Sequence, residues 1–440
     1  MKRLLAICLL GCATLAAQQI PAATELPGSP FFIKKTWVVG GAGNWDYLTM
    51  DPAAGRLFIA HGAQVQVVDV ETGQVAGTVS GLREAHTVAL DPNGELGYIS
   101  DGQANQVKVF DRRTLQVVAA IPTGPAPRAL VFEPENQLLF AVCTPLTTGN
   151  PAPGASPART PADLEIKSSI TVIDAETRQG LGEILMPGRM GFAATDGHGQ
   201  VFINVVNRNQ IARLDAGSIA ALFGRRADRA AATRLADAQP PALSPAPAPS
   251  RSTPSRSAPS HSTPSSPAHE NTAPSVLDWS HETRLPNSAS SRLTLFPLGP
   301  DCREPSALAV DGSHQRLFAA CSNMKMVVLN AGSGELVTSL PIGPGTEAIG
   351  YDAGHGLIYA ANGGAQGTLT IIRQDVTDTY AEIQNLATRQ RARTLAVNSA
   401  TGQVYLVTDL LGVKLDRPGG IGTLQTPPAA GSFQVLVIGN

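Results

Sequence analysis

Residues 47–61 read YLTMDPAAGRLFIAH: an apolar run, a polar turn opening on Asp51, then a second apolar run. The same shape returns at 87–101 (TVALDPNGELGYISD), 129–143 (ALVFEPENQLLFAVC), 192–206 (FAATDGHGQVFINVV), 307–321 (ALAVDGSHQRLFAAC), 348–362 (AIGYDAGHGLIYAAN) and 394–408 (TLAVNSATGQVYLVT). The turns open at Asp51, Asp91, Glu133, Asp196, Asp311, Asp352 and Asn398. Each copy then places an aromatic in its second run: Phe58, Tyr98, Phe140, Phe202, Phe318, Tyr359 and Tyr405. These are seven of only 12 Phe and 6 Tyr in the chain, so the recurrence marks a repeat rather than chance.

Outward from each pair of runs lies a third apolar stretch, such as VQVVDVETGQ, VKVFDRRTLQ or ITVIDAETRQ, alternating well enough for a half-buried strand. A fourth follows and ends in Pro-x-Gly or its remnant, as in VVAAIPTG and VTSLPIG. Four antiparallel strands per unit, repeated radially, make a propeller blade, which cannot bury both faces alone. The expected fold is therefore all-β: a seven-bladed β-propeller of four-stranded antiparallel blades over residues 31–440. The last repeat stops after its third strand, while FFIKKTWVVGG stands before the first repeat, where only a fourth strand belongs. Phe31 to Val39 should complete blade 7 and protect its open edge.

These repeats resemble the YVTN β-propeller repeat family, which includes the YncE-like periplasmic proteins. Tyr359-Ala360-Ala361-Asn362 is the nearest copy of the naming signature, and Val172-Ile173-Asp174-Ala175-Glu176-Thr177 matches the family's third strand. The Pro-x-Gly exit with a second proline is matched between Ile121 and Pro127. The resemblance implies an exported seven-bladed propeller and is specific for fold rather than for function.

Spacing locates the insertions. Third-strand landmarks Asp69 and Asp111 lie one repeat apart, whereas Asp111 to Asp174, Asp215 to Asn330 and the last blade are longer. Blade 3 should carry its excess near Thr144 to Lys167 and blade 7 near Leu410 to Ser432, both on the face where first strands begin. Blade 4 should carry a large insertion near 219–290 on the opposite face. Ser218 to Ala238 has helical composition. Gln239 to Ser275 is rich in Pro, Ser and Ala and is expected to be disordered.

The start, MKRLLAICLLGCATLAA, has a basic entry and an apolar core too short to span a bilayer, so residues 1–17 read as a signal peptide. A lipoprotein reading, with lipidation at Cys12, is the alternative. Without Lys2 and Arg3 the chain holds 31 basic and 35 acidic residues, a net of −4 that gives no general attraction for nucleic acid. Beyond the leader remain Cys143, Cys302 and Cys321. Hairpin register sets Ser306 opposite Cys321, and a Cys302–Cys321 disulfide with Cys143 free is expected if the preceding loop folds back.

Repeats separate scaffold from site. Turn acids recurring in most blades serve turn backbone. The residue starting each first strand varies instead: Asp46, His86, Arg128, Gly191, Ser306, Glu347 and Arg393. This ring should line the channel mouth, with Trp45, Arg189, Glu304 and Arg391 nearby. Its charged members run in one arc, Glu347–Arg393–Asp46–His86–Arg128, suited to an anionic or zwitterionic small molecule or to a protein or cell-envelope partner. The leading expectation is a monomeric, exported, non-catalytic binding or scaffold protein without cofactor. A lactonase-like hydrolase would use Glu347 or His86 as base with Arg128 and Arg393 on the oxyanion. Single-strand nucleic-acid binding would need Trp45 beside Arg128 and Arg393 as a stacking groove. His61, His86 and Asp46 form a weak metal candidate. His198, His314 and His355 belong to turns on the far face. No haem-attachment, nucleophile-elbow or phosphate-loop motif is present.

Overall fold

Alternation of apolar and small residues, broken by Asp- and Gly-containing turns, produces short strands that pair with their sequence neighbours. The computed structural model describes residues 31–41, 43–144, 167–224, 275–278, 292–375, 378–415, 422–428 and 431–440. The expected signal peptide, residues 145–166 of the blade-3 insertion and residues 239–274 lie outside them.

The strands form a seven-bladed propeller with four antiparallel strands in each blade. Two compact units share the blades, one built from the chain up to Thr78 together with Leu298 onward, the other from Val79–Pro297. In the first unit, blade 1 comprises Trp45–Asp51, Arg56–His61, Gln64–Asp69 and Val75–Val79. Blade 5 comprises Pro305–Asp311, Arg316–Cys321, Lys325–Asn330 and Leu336–Pro341. Blade 6 comprises Thr346–Asp352, Leu357–Asn362, Thr368–Gln374 and Tyr380–Ala387.

Blade 7 takes Leu395–Asn398, Gln403–Thr408 and Gln434–Gly439 from the end of the chain, and Phe32–Val38 from its beginning. Phe32 pairs opposite Gly439 and Val38 opposite Gln434, with a bulge between Ile33 and Lys35. The blade-7 insertion folds in part as a hairpin of Leu411–Leu415 with Gly422–Pro428.

In the second unit, blade 2 comprises Ala85–Leu90, Leu96–Asp101, Gln106–Asp111 and Val117–Pro122. Blade 3 comprises Pro127–Glu133, Leu138–Cys143, Lys167–Asp174 and Gln179–Pro187. Blade 4 comprises Met190–Thr195, Gln200–Val205, Gln210–Asp215 and Leu293–Pro297. The helical stretch expected from Ser218 starts earlier, as the helix Ala216–Leu222, because Asp215 caps it by accepting from the Ser218 amide at 2.7 Å. Ser275, the last residue of the segment expected to be unstructured, instead opens a strand, Ser275–Asp278, alongside blade 3.

The core lies between facing sheets. All seven repeat aromatics are buried to 1% exposure or less, among them Phe58, Tyr98 and Tyr405. Within the units, Tyr98, Phe140, Phe318, Tyr359 and Tyr405 each pack in a cluster shared by two neighbouring sheets. The turn acids work locally. Asp51 accepts the Ala54 amide, Glu133 those of Glu135 and Asn136, and Asn398 that of Ala400. Third strands end alike, with Asp69 and Asp111 accepting from the amides and hydroxyls of Thr72 and Thr114. Those hydrogen bonds hold both carboxyls below the usual carboxylate range.

Candidate functional site

The varying residue at each first-strand start sits where the strand departs from regular pairing. Register shifts fall between Trp45 and Leu48, Ala85 and Val88, Pro127 and Ala129, Met190 and Ala193, Pro305 and Ala307, and Thr346 and Ala348. Asp46, His86, Arg128, Gly191, Ser306 and Glu347 are therefore bulge residues. A bulge re-aims a side chain and leaves backbone groups for other partners. Cys321 pairs with Pro305, not with Ser306 as the hairpin count expected, because Ser306 is the extra residue. In blade 7 the first strand begins only at Leu395, so Arg393 precedes it.

Within each unit, carbonyls at or beside these bulges are collected by the preceding blade. Thr87 and Ser100 hydroxyls donate to Arg128 O at 2.8 and 2.7 Å, and Thr144 donates to Met190 O at 3.0 Å. Ser306 donates to Thr346 O at 2.7 Å and Thr394 to Asp46 O at 3.0 Å. Ser306 thus serves the scaffold. His86 is buried, with Nε2 3.5 Å from Glu84 Oε2 and packed on the Gly102 backbone. It is no exposed base. In the same unit Arg128 is exposed.

In the other unit the arc is drawn together. Arg391 lies 4.8 Å and Arg393 5.7 Å from the ring centroid of Trp45, whose own ring is only 3% exposed and leans on Phe433 at 5.4 Å. Arg393 Nε approaches Glu347 Oε2 at 2.7 Å, and Arg391 Nε approaches Asp409 Oδ1 at 3.2 Å. Both are charge contacts off hydrogen-bond alignment. Among the described residues, no protein hydrogen bond engages the outer nitrogens of either guanidinium. Arg391 holds a left-handed backbone, φ +69°, which costs energy in a non-glycine residue and is over-represented at functional positions.

The loop carrying these arginines is fixed from blade 6, where Gly363 O accepts the Arg391 amide at 2.9 Å and Gly367 O that of Thr388 at 2.9 Å. His61 closes the floor. Its Nδ1 meets Gln66 Oε1 at 2.7 Å, its Nε2 faces Gly43 O at 3.2 Å, and its ring lies 4.1 Å from Phe433. Asp409 is buried, which pushes its carboxyl above the usual range although Arg391, Arg393 and His61 pull the other way. Among the described residues, no group of three or more His, Cys, Asp and Glu could hold a metal ion.

Asp409 and the prominence of Arg391 over Arg128 are what sequence reasoning missed. One available signal was the alternation Arg389-Gln390-Arg391-Ala392-Arg393. The other was the residue closing each second strand, which also varies from blade to blade. There the variation proves structural in several blades, which tie their incoming loops differently. Asp101 accepts the Arg83 and Glu84 amides; in blade 4 the tie comes from the turn after the strand, where Asn207 accepts the Arg189 amide. Asn362 accepts from Thr346, and Thr408 donates to Gln390 O. In blade 5 the tie is covalent: Cys302 and Cys321 form a disulfide with Cα atoms 5.2 Å apart, and Cys143 is a free, buried thiol. Far-face His314 and His355 are half exposed and bind Asp311 and Asp352 of their own turns at 2.6 and 2.8 Å.

No family model and no curated protein matches the chain. Solved structures do. A chain of the mitotic checkpoint complex superposes with a TM-score of 0.57 at 11% identity, covering 99% of this chain and 98% of that one. The structure of U3-55K gives 0.55 at 8% identity, covering 91% and 97%. At such identities the likeness defines a class, the seven-bladed propellers, and nothing narrower.

Proposed function

We propose that the chain is an exported, non-catalytic binding propeller of the YVTN kind whose ligand site is the Trp45–Arg391–Arg393 cluster. The ligand is a carboxylate- or phosphate-bearing small molecule, or the same group on a cell-envelope partner. The supporting observation is the pair of guanidiniums laid over one buried indole, each with its Nε toward a carboxylate. Such a pair can give several charge-assisted hydrogen bonds to an oxyanion without reorganising. Glu347 beside Arg393 suits a zwitterion, whose cationic end it can meet. A hydrolytic role for His86 loses support because the imidazole is buried against Gly102 and Glu84.

The test is a binding screen of anionic cell-wall fragments, lactones and oligonucleotides, read by calorimetry and by Trp45 fluorescence. Arg391→Ala with Arg393→Ala should weaken the ligand found by about 100-fold or more, two charge-assisted hydrogen bonds being worth about 3 kcal/mol or more. Unchanged affinity in the double variant would place the site elsewhere. Lactone turnover abolished by His86→Ala would favour the hydrolase.

A further inference from the structure

Asp409 follows the second strand of blade 7 and is fixed on both sides. The Thr408 hydroxyl donates to Gln390 O at 2.7 Å, and the Leu410 amide donates to Ser432 Oγ at 3.1 Å. The Asp409 side chain is only 2% exposed, yet among the described residues neither of its oxygens accepts a hydrogen bond. A buried carboxylate without donors is costly, since it has lost water and gained nothing directional in exchange. Arg391 Nε, 3.2 Å away, supplies charge but not alignment. His61 is engaged elsewhere, its Nδ1 with Gln66 and its Nε2 toward Gly43 O. The indole N–H of Trp45, over whose ring Arg391 lies, is likewise buried and unmet. Two unmet acceptors and an unmet donor therefore adjoin one guanidinium, and the group that would complete them must both donate and accept.

We propose that the ligand of this site is a free amino acid, its carboxylate on the outer nitrogens of Arg391 and Arg393 and its ammonium on Asp409. The inference rests on the anion-site reading of the arginine pair and narrows it. An ammonium brings several donors, and a carboxylate with both oxygens unmet can take more than one. Glu347 is the poorer seat, because it is half exposed to solvent and its Oε2 already lies 2.7 Å from Arg393 Nε. Each arginine has a carboxylate of its own, Asp409 for Arg391 and Glu347 for Arg393. A ligand with a cation beside its carboxylate adds no net charge to that pairing. The amine must stand next to the ligand's carboxylate, because that carboxylate and Asp409 flank the same guanidinium. A simple carboxylic acid would leave Asp409 bare, which makes Asp409 the specificity-determining residue.

The test is calorimetric titration of the full chain with alanine, glutamate and phenylalanine in D and L forms. Each is set beside the acid that lacks the amine: propionate, glutarate and 3-phenylpropionate. At least one amino acid should bind about tenfold or more tightly than its matched acid, a charge-assisted hydrogen bond being worth that much. Asp409→Asn should bring that ratio to about one, whereas a merely structural role would weaken both classes alike and keep the ratio. The N-trimethylated form of the same amino acid keeps the positive charge but has no N–H, so it should lose the advantage on the unaltered chain. That comparison stands even if the variant fails to fold. Amino acids no tighter than their matched acids would leave the anion site standing and overturn the inference. So would a ratio that survives Asp409→Asn, or a trimethylated ligand as tight as its parent. Binding of neither class up to about 10 mM would overturn it as well, and the anion site would then stand or fall by the wider screen.

Discussion

Replacing Cys302 and Cys321 together with alanine isolates the covalent loop tie of blade 5 and lets its contribution be worked from chain length. The bond joins residues 19 apart. Cross-linking a loop of that size removes denatured-state entropy worth about 3 kcal/mol. In a chain this long each kcal/mol moves the midpoint by about 1–2 °C, so the variant should melt about 3–6 °C lower. Alanine at these positions adds no unpaired polar group, although both cysteines are buried. Scanning calorimetry of the oxidised chain, the reduced chain and the double variant makes the comparison, and the last two should coincide. Mass mapping gives an independent reading. Burial pushes the Cys143 thiol up to about 11, so no cysteine beyond residue 30 should be alkylated in the native chain. One should react after unfolding without reductant and three after reduction. Two or more labelled before reduction, or identical melting of oxidised and reduced chains, would refute the reasoning.

Deleting residues 31–39 removes the partner of Gln434–Gly439 and exposes Tyr359 and Leu436 of the core they share with Phe31, so aggregation or a large fall in melting temperature is expected; a truncated chain melting like its parent would contradict the closure. Gly367→Ala should disturb the arginine loop without altering either ligand-facing arginine, because at φ +66° an added Cβ would collide with the Arg389 backbone; a loss of about 1–3 kcal/mol and weakened anion binding are expected, read by denaturant titration and calorimetry. Burial pushes the Asp311 carboxyl up, but hydrogen bonds from Ser313, His314 and Tyr351 outweigh it and leave it below the usual range. A depressed folded value means stability present above about pH 4 and lost as pH falls through the folded value, so Asp311→Asn should show a shallower acid decline between about pH 5 and 2 in melting experiments.

The fold was legible because its signals are local and repeated. Asp91, Tyr98 and Asp111 fall at the same points of blade 2 as Asp311, Phe318 and Asn330 do in blade 5, and one pattern read seven times outweighs the ambiguity of any single strand. The orphan strand Phe32–Val38 was placed by counting. The site was only half legible. Position in the repeat located Glu347 and Arg393 but not what each touches, since the bulge displaces Ser306 by one residue and turns its hydroxyl to Thr346 O. Variation between blades marked both useful and merely alternative chemistry. His86, Asp101 and Cys321 vary because a buried loop can be held in several ways. The fifth strand of blade 3 had no local signal, because four residues pair with a strand nearly a hundred positions earlier.

The pairing of Phe32–Val38 with Gln434–Gly439 has a consequence for how the molecule is made. Lys34 reaches Asn440 O across 406 positions of sequence, so Phe32–Val38 has no place to go until Gln434–Gly439 has followed. Blades built from consecutive strands can form as they appear. Blade 7 cannot, and a nascent chain carries Phe32–Val38 unmatched until Gln434–Gly439 has been made. A chain broken off early never acquires its last hydrogen-bonded seam. In such a chain Phe32–Val38 lacks its partner, so the seam forms only once synthesis has passed Gly439.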